Sequence, residues 1–327
     1  MKRRDVLQVG LGALFATAPT PRGAFGQAKF PERPIKLMIP FSAGGVTDIV
    51  GRHWAERMKG PLGTIYVENQ GGATGTIGAT EVARSPADGH TILLGNTSVL
   101  VLNPMTSTRL PYDPIKDFVP ISILCVASVA WVVHASVPVK TLKEFVDYAK
   151  ANPGKLSYGS AGTGTMTHLA AEQFKQATGL GELTHVPYKG AGPAIADLVS
   201  GHIPAATPNV TSQVLEFHNS GKIRILAVFS NQRLKGAPEI PTAIELGFAN
   251  QVGQLFVGVF APAATPNPVI EQIAAANRKV MDDAAFQKIL IDSGLEPISD
   301  TPDRAKAYIV EETARWAPVV KAIGLVK

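Results

Sequence analysis

The segment Ile35-Lys-Leu-Met-Ile-Pro-Phe-Ser-Ala-Gly-Gly-Val-Thr-Asp48 runs from an apolar stretch into a turn that contains two glycines. Its first five residues have the length and composition of a buried strand. Apolar residues then recur at helical spacing, which predicts a helix over 47–59 that ends at Gly60 and Pro61. Strand, turn and helix in this order form the unit from which α/β domains are built.

The same order of strand, turn and helix recurs along the chain. A strand at 156–160 is followed by a helix at 165–178, with Gly179 placed to end it. Another helix, expected to begin with Pro193, is ended by Gly201. Further strands are predicted at 64–68, 91–94, 183–187, 223–230 and 254–260. This alternation predicts an α/β architecture with mainly parallel sheets.

The length and the apolar segments suggest how the chain divides. A chain of 327 residues suggests two domains, since a domain usually holds about 100–200 residues. Residues 118–139 are uncharged, but prolines and serines interrupt them, so two buried strands that cross between domains are favoured over a membrane span. We therefore place the first domain at 27–128 and 252–327, and the second at 129–251.

The first 26 residues have the parts of an export signal. A positive segment, Lys2-Arg-Arg4, precedes a mostly apolar stretch at 6–18 that is too short to span a bilayer as a helix. Small residues permit cleavage before Gln27 or after Ala28. The paired arginines resemble a twin-arginine signal, and a general secretory signal is the alternative. No cysteine that could carry a lipid follows, so we expect release into the periplasm.

Charge and cysteine usage bear on the class of function. The formal net charge is +5, but residues 1–26 contribute four cations and one anion, so the remainder carries 5 − 3 = +2. No basic run is interleaved with aromatic residues, which argues against a nucleic-acid partner. The single cysteine, Cys125, lies in a strand-like apolar run, where a buried, inert thiol is expected rather than a nucleophile.

Three predicted strand-to-helix loops, at 40–48, 158–168 and 187–193, are rich in glycine. Ligands gather at the carboxyl ends of strands in open α/β sheets. Helix N-termini there offer free N–H groups and a partial positive charge, which bind an anion without an arginine. Lys189 is the only cationic side chain in the three loops. The pattern therefore indicates an anion site, and ordinary turns with N-caps are the alternative for each loop.

Two titratable residues in these loops each admit two roles. A carboxylate at Asp48 would repel an anion, so we expect it to cap Val46 or Thr47 and hold the loop shape. It could instead face an ammonium group of the ligand. His168 falls in the first turn of its helix, where it either hydrogen-bonds a carboxylate or caps its own loop.

Nucleotide-binding, hydrolytic and metal motifs are incomplete. Residues 162–164 lack the Gly-Lys-Ser/Thr ending of a phosphate loop and the third glycine of a dinucleotide fingerprint. Ser160 lacks the earlier glycine of a nucleophile elbow, because Tyr158 stands there. The seven histidines form neither His-x-His nor His-Glu-x-x-His. We therefore expect no metal, no cofactor and no enzymatic activity.

Seven segments, in order along the chain, carry a resemblance to a known family. They are 40–48, 67–78, 87–94, 112–118, 158–165, 185–190 and 238–242. With them the sequence resembles the receptors of tripartite tricarboxylate transporters, also called the Bug family. The resemblance implies a periplasmic-binding fold, in which two α/β domains joined by crossover strands close around a small carboxylate. It also implies delivery of that ligand to a membrane permease.

The resemblance implies a set of ligand-binding residues by position. The set is Phe41, Ser42, Ala43, Gly44 and Gly45 in the first loop, Thr97 and Ser98 after the third strand, Ser160, Gly162, Gly164, Thr165 and His168 in the second loop, and Tyr188 in the third. Asp48 and Asn209 complete our candidate site. Ser42 replaces a more usual proline, and Pro208-Asn209 stands where an acidic residue is common. Asn209 would suit a less cationic ligand.

Two other functions stay open. The chain could be a periplasmic sensing module that binds the same ligand and acts on a sensor kinase. It could also be an exported hydrolase, which the incomplete motifs make the weaker alternative. We expect a monomer that closes by a hinge motion, because the two predicted domains meet through the crossover strands alone.

Overall fold

A computed structural model describes residues 30–322 and 324–325. The predicted export signal and its cleavage sites lie outside the described residues. The strands are β1 Ile35–Ile39, β2 Ile65–Asn69, β3 Thr91–Asn96, β4 Phe118–His134, β5 Ser157–Ser160, β6 Thr184–Pro187, β7 Ala205–Ala206, β8 Ile223–Phe229, β9 Gln254–Pro262 and β10 Leu295–Pro297. The helices are α1 Val46–Leu62, α2 Thr76–Ala83, α3 Asn103–Thr106, α4 Leu142–Ala151, α5 Met166–Thr178, α6 Ala191–Val199, α7 Ser212–Asn219, α8 Asn267–Met281, α9 Ala284–Asp292 and α10 Pro302–Ala322. A 3-10 turn at Ala73–Gly75 and a π-helical turn at Ser98–Leu102 complete the elements.

The ten strands form one curled, mixed sheet. Its order is β2-β1-β3-β9-β4-β7-β5-β6, and β8 and β10 also pair with β4. Pairing is parallel for β1 with β2 and β3, and for β5 with β6 and β7. All pairs made by β4, and the pair of β3 with β9, are antiparallel. The prediction of mainly parallel sheets is therefore wrong, because the two crossing strands run against their neighbours.

Strand β4 is continuous over 17 residues, so the prediction of two strands in this segment is wrong. Pro120 is accommodated by a shift in the register with β9 between Pro120 and Ser122. Side chains from Ile121 to Val133 are all buried, which explains the uncharged run. No helix among the described residues is long and apolar enough to cross a membrane.

The partner of β4 changes partway along the strand. Residues 118–128 pair with β9, and residues 129–134 pair with β8. We call the part built on β1, β2, β3, β9 and the first part of β4 the first lobe, and the part built on β5 to β8 and the end of β4 the second lobe. Both lobes are α/β in construction. The boundaries placed at 128/129 and 251/252 stay a prediction.

Two helix ends differ from the sequence prediction. Helix α1 continues to Leu62 with Pro61 inside its last turn, and Gly63, at φ 72°, ends it. Helix α6 begins at Ala191, so Pro193 is its third residue rather than its first. Proline is tolerated there, because the N–H groups of the first helical turn have no intrahelical partner.

Two apolar clusters form the core: the smaller lies in the second lobe, and the larger runs through both lobes. The larger cluster includes three fully buried aromatic side chains, Trp54 and Trp316 from the first lobe and Trp131 from β4. The Trp54 Nε1–H donates a 2.7 Å hydrogen bond to Asn277 Oδ1, which ties α1 to α8. Cys125 is fully buried in β4, and burial raises the pKa of its thiol. The prediction of a buried thiol is confirmed.

Candidate functional site

Loops from the two lobes meet at the carboxyl ends of β1, β5 and β6. The first loop is 40–45, the second is 161–165 and the third is 188–190. Ser42 Oγ lies 3.4 Å from the carbonyl oxygen of Lys189, which links the first loop to the third. Behind this contact, a Cβ at Gly192 would lie 2.0 Å from the Ala43 carbonyl oxygen. Only glycine therefore permits the observed approach of the two lobes.

Two further hydrogen bonds join the lobes. The Thr74 hydroxyl donates to the carbonyl oxygen of Thr163 at 2.8 Å. The N–H of Met166 donates to Ser98 Oγ at 3.1 Å. Together with the contact between the first and third loops, these bonds hold the two lobes closed over the space between them.

A cavity of about 30 Å³ lies between the lobes in this closed arrangement. Its lining comprises Phe41, Gly45, Val46, Thr47, Asn96, Ser98 and Leu255 from the first lobe, and Ala161, Thr165, Met166, Thr167, Ala191 and Asn209 from the second. None of these side chains carries a charge.

Three helices begin at this cavity. The lining includes the first residues of α1, α5 and α6, whose N-caps are Gly45, Thr165 and Gly190. Among the described residues, no acceptor is bonded to the N–H groups of Val46, Thr47, Thr167 and Ala191. Free first-turn donors and three converging helix dipoles form a site for an anion.

Two asparagine side chains line the cavity and differ in their bonding. Asn96 Nδ2 donates to Thr47 Oγ1 at 3.1 Å, and Asn96 Oδ1 accepts from the N–H of Val99 at 3.2 Å. Asn209 is only 4% exposed, and its Nδ2 has no hydrogen-bond partner among the described residues. Asn209 therefore carries a buried donor at the cavity wall that no described protein acceptor uses.

The carboxylate of Asp48 is buried and fully engaged within the first lobe. It accepts hydrogen bonds from the N–H of Gly44 at 3.0 Å and from Asn69 Nδ2 at 2.9 Å. The Arg52 guanidinium forms a salt bridge with it at 2.9 Å. Asp48 thus fixes the first loop from the side of its own lobe and is neutralised by a cation there.

The structure corrects the expected cap made by Asp48. We expected Asp48 to cap Val46 or Thr47, but its carboxylate bonds Gly44, and no side chain caps the start of α1. Burial acts to raise the pKa of the Asp48 carboxyl, yet hydrogen bonds from Arg52, Gly44 and Asn69 outweigh it and hold the pKa below its ordinary value. Asp48 therefore stays ionised and holds the loop shape, as expected, through a different partner.

Two stacked histidines, His168 and His185, hold the second loop in place. The N–H of Gly164 donates to His168 Nδ1 at 3.1 Å, so His168 caps its own loop, one of its two expected roles. The His168 ring stacks on His185 at a centroid distance of 4.0 Å. His185 Nε2 lies 2.7 Å from Ser160 Oγ, which also accepts from the N–H of Gly162 at 3.1 Å. Neutral imidazoles therefore shape this loop.

Burial lowers the pKa of both histidines. For His185 the positive charges of His168 and Lys175 add to the effect of burial, and the pKa falls to about 4 despite nearby Glu172. For His168 burial is also the main cause, opposed by Glu172. Both rings are uncharged near neutral pH, as the hydrogen bond from Gly164 requires.

Five residues of the predicted site line the cavity: Phe41, Gly45, Ser98, Thr165 and Asn209. The other ten lie in or beside the same loops without lining it: Ser42, Ala43, Gly44, Asp48, Thr97, Ser160, Gly162, Gly164, His168 and Tyr188. The Tyr188 hydroxyl donates to Asp197 Oδ2 at 2.6 Å, and Thr97 Oγ1 accepts from the N–H of Phe256 at 2.8 Å. The hydroxyl groups of Tyr188 and Thr97 are therefore already hydrogen-bonded within the protein.

Eight lining residues were missed: Val46, Thr47, Asn96, Ala161, Met166, Thr167, Ala191 and Leu255. Those at the starts of α1, α5 and α6 lie within the predicted loops at 40–48, 158–168 and 187–193. Identifying the N-cap residue of each helix would have found them. Asn96 ends a strand that we predicted to stop two residues earlier. Leu255 had no local signal, because the pairing of β9 between β3 and β4 brings it to the cavity.

Comparisons with known proteins show the family to which this chain belongs. The family model for the tripartite tricarboxylate transporter family receptor matches residues 50–325. Protein BugT of Bordetella pertussis is 33% identical over 297 residues, which cover 90% of this chain and 90% of that protein.

Two of the similar solved structures are complexes with a carboxylate. An R. palustris protein with adipate is 30% identical, with a TM-score of 0.87 over 91% of this chain and 99% of that one. MatC from Rhodopseudomonas palustris with bound malate is 30% identical, with a TM-score of 0.83 over 89% of this chain and 100% of that one. The chain therefore belongs to the tripartite tricarboxylate transporter receptors, a family of periplasmic solute-binding proteins.

Proposed function

We propose that this chain captures a small carboxylate in the cavity between its lobes and delivers it to the membrane permease of a tripartite tricarboxylate transporter. The observation that carries the proposal is the convergence of three helix N-termini on one uncharged cavity. The structures with adipate and with malate support the ligand class, since their chains align with nearly all of this one.

Backbone donors supply enough energy for this role. A hydrogen bond to a charged group contributes about 1.5–3 kcal/mol net, and a helix terminus in a partly buried site adds up to about 2 kcal/mol. Micromolar binding needs about 8 kcal/mol, so a few such donors suffice without an arginine. Lys189 is exposed, and its carbonyl rather than its ammonium group contacts the first loop.

Entry of the ligand requires the lobes to separate. We propose hinges near 128/129 and 251/252, where the chain passes between the lobes. The N–H of Val129 donates to the Gly253 carbonyl oxygen at 2.7 Å, and the N–H of Gly253 donates to the Phe229 carbonyl oxygen at 2.9 Å. These short backbone bonds hold the crossing segments together, so rotation about them would open the cavity without breaking the strand pairing within either lobe.

Binding without catalysis is part of the proposal. Ser160 and His185 form a close pair of the kind that activates a nucleophile, with 2.7 Å between Oγ and Nε2. However, Ser160 is 2% exposed, lies outside the cavity lining and accepts the N–H of Gly162. The pair therefore fits a role in shaping the second loop.

Export to the periplasm is the proposed location, supported by the family and by the positive and apolar segments of residues 1–18. The mature protein should begin at Gln27 or close to it and carry no lipid. Intact mass spectrometry of the periplasmic fraction tests this, and a mass that retains residues 1–20 would contradict it.

A carboxylate screen tests the binding function. Mono-, di- and tricarboxylates are compared by thermal shift and then by isothermal titration calorimetry. A true ligand at 100 times its Kd should add about 2.7 kcal/mol to the free energy of unfolding. Deletion of the gene should abolish cellular uptake of the same compound, which tests delivery to a permease.

A pair of matched variants assigns binding to the cavity. Thr47→Asp places a carboxylate in the lining at a helix start, where an acidic residue is compatible with the helix dipole. It should abolish anion binding. Ile115→Asp introduces the same charge at a side chain that is 60% exposed and outside the lining, and it should bind normally. Equal binding by both variants would place the ligand elsewhere.

A further inference from the structure

We propose that Asn209 determines which carboxylates are accepted, because its amide NH₂ donates to an oxygen of the ligand beside the bound carboxylate. The inference rests on the proposed function and specifies which carboxylates the cavity accepts. The chain would select hydroxy-substituted and other ammonium-free acids, and it would reject the corresponding α-amino acids.

Asn209 is the one unmatched amide of the cavity. The lining holds two side-chain amides, and Asn96 Nδ2 already donates to Thr47 Oγ1. Asn209 Nδ2 has no partner among the described residues, although the side chain is 96% buried. A buried donor without an acceptor is unfavourable, so a ligand that supplies an oxygen there is preferred over one that does not.

The backbone holds Asn209 in a fixed position. On one side of it the N–H of Ala130 donates to the Pro208 carbonyl oxygen at 2.9 Å, and on the other the N–H of Val210 donates to the Ser128 carbonyl oxygen at 2.9 Å. These two bonds attach the residue to β4 at the point where that strand changes partner. A side chain on so rigid a support can discriminate between groups that differ by one atom.

The lining offers no negative charge that would compensate an ammonium group. None of its side chains is a carboxylate. The nearby Asp48 carboxylate is already engaged by Gly44, Asn69 and Arg52. An α-ammonium beside Asn209 would therefore meet N–H donors from the amide and from the helix starts, and a buried cation without a partner is strongly disfavoured.

Three four-carbon acids isolate this contact. Malate, succinate and L-aspartate share two carboxylates and differ at carbon 2, which bears a hydroxyl, a hydrogen or an ammonium group. Calorimetric titration of the wild-type protein should give a Kd for aspartate at least about tenfold above that for malate. A preference for aspartate would overturn the inference, since it would mean that the amide presents its oxygen to the ligand.

Variants of the same residue complete the test. Asn209→Asp should lower the aspartate-to-malate Kd ratio by at least about tenfold, because a carboxylate favours the ammonium group and repels the hydroxy acid. Asn209→Leu keeps the volume and removes the donor, so malate and succinate should bind with Kd values within about twofold of each other. The exposed Asn219→Asp is the charge-matched control and should behave as wild type.

The outcomes separate this inference from the function on which it rests. An unchanged Kd ratio in Asn209→Asp, together with an unchanged malate preference in Asn209→Leu, would overturn the role of Asn209 and leave carboxylate binding intact. The same conclusion follows if the wild type binds another carboxylate of the screen but none of these three acids. Failure of every carboxylate to bind would overturn the proposed function itself.

Discussion

The Ser98 hydroxyl oxygen accepts a 3.1 Å hydrogen bond from the N–H of Met166, the first residue of α5. Ser98 belongs to the first lobe and Met166 to the second. Thr165 caps the same helix from its own lobe by accepting the N–H of His168. The cap of α5 is therefore completed only when the lobes close, so closure and helix capping stabilise each other.

Removal of this hydroxyl should weaken ligand binding moderately. A neutral hydrogen bond contributes about 0.5–1.5 kcal/mol, so Ser98→Ala should raise the Kd roughly two- to tenfold through a less stable closed state. Ser220→Ala, which removes an exposed hydroxyl on the second lobe, is the control. Titration calorimetry measures both, and equal Kd values would show that the contact does not favour closure.

A methyl group at Gly192 should prevent closure. Its Cβ would lie 2.0 Å from the Ala43 carbonyl oxygen across the cleft, while the backbone of Gly192 lies outside the left-handed region and accepts alanine. We expect Gly192→Ala to fold normally and to bind at least about tenfold more weakly, since the competent closed state is depopulated. Small-angle scattering with saturating ligand should show a larger radius of gyration than wild type.

The control for this variant is Gly60→Ala, because a Cβ at Gly60 meets no atom within 4 Å. It should show wild-type affinity and the wild-type decrease in radius of gyration on ligand binding. Normal binding by Gly192→Ala would mean that the ligand is held with the lobes further apart than in this structure.

Loss of the charge at Lys189 should matter little. Lys189→Ala keeps the backbone carbonyl that contacts Ser42, and the lining has no charged side chain. The Kd should therefore change by less than about threefold, within the range of an exposed ion pair. Titrations at low and high salt should give similar differences between variant and wild type. A loss of binding in Lys189→Ala would replace the backbone mechanism with a lysine contact.

Stability should decrease in mild acid because of the stacked histidines. The pKa of His185 is about 4 in the folded chain, against 6.5 ordinarily. Between these values the unfolded chain binds more protons, so the free energy of unfolding falls as the pH falls from about 6.5 to 4. His168 acts in the same direction. Urea unfolding at pH 7.5, 6.0 and 5.0 measures the slope.

His185→Gln should flatten this pH dependence, since the group that titrates is removed. The exposed His53→Gln serves as the control and should keep the wild-type slope. Asp48, a carboxylate with a lowered pKa in the first lobe, responds at lower pH and affects all three proteins alike. If the free energy of unfolding changed with pH to the same extent in His185→Gln and in wild type, His185 would be excluded as the cause of the pH dependence.

Much of the fold was accessible from the sequence because local signals decide it. Predicted strand and helix positions agree with the structure to within a few residues wherever glycine ends an element, as Gly179 ends α5 at φ 71°. Some of the unpredicted elements depend on distant partners. Strand β10 holds three residues and exists through its pairing with β4. The continuity of β4 likewise depends on β9 and β8, which the local sequence does not reveal.

The site was predicted in outline for a similar reason. Glycine and hydroxyl residues identify the loops, and the loops do converge. Which side chains reach the cavity depends on how each loop is held, and that is decided partly by contacts over long sequence distances, such as Ser42 with Lys189 or Ser98 with Met166. Neither the partners of the Asp48 carboxylate nor the free donor of Asn209 could be inferred from loop composition.

Strand β4 makes the two lobes a single thermodynamic unit. Its first eleven residues complete one part of the sheet and its last six complete the other, and one apolar cluster continues across both. Melting of either lobe would strip β4 of its neighbours and expose the core of the other. Heat should therefore unfold the chain in one calorimetric transition. Proteolytic cleavage between residues 128 and 129 would therefore destabilise both lobes.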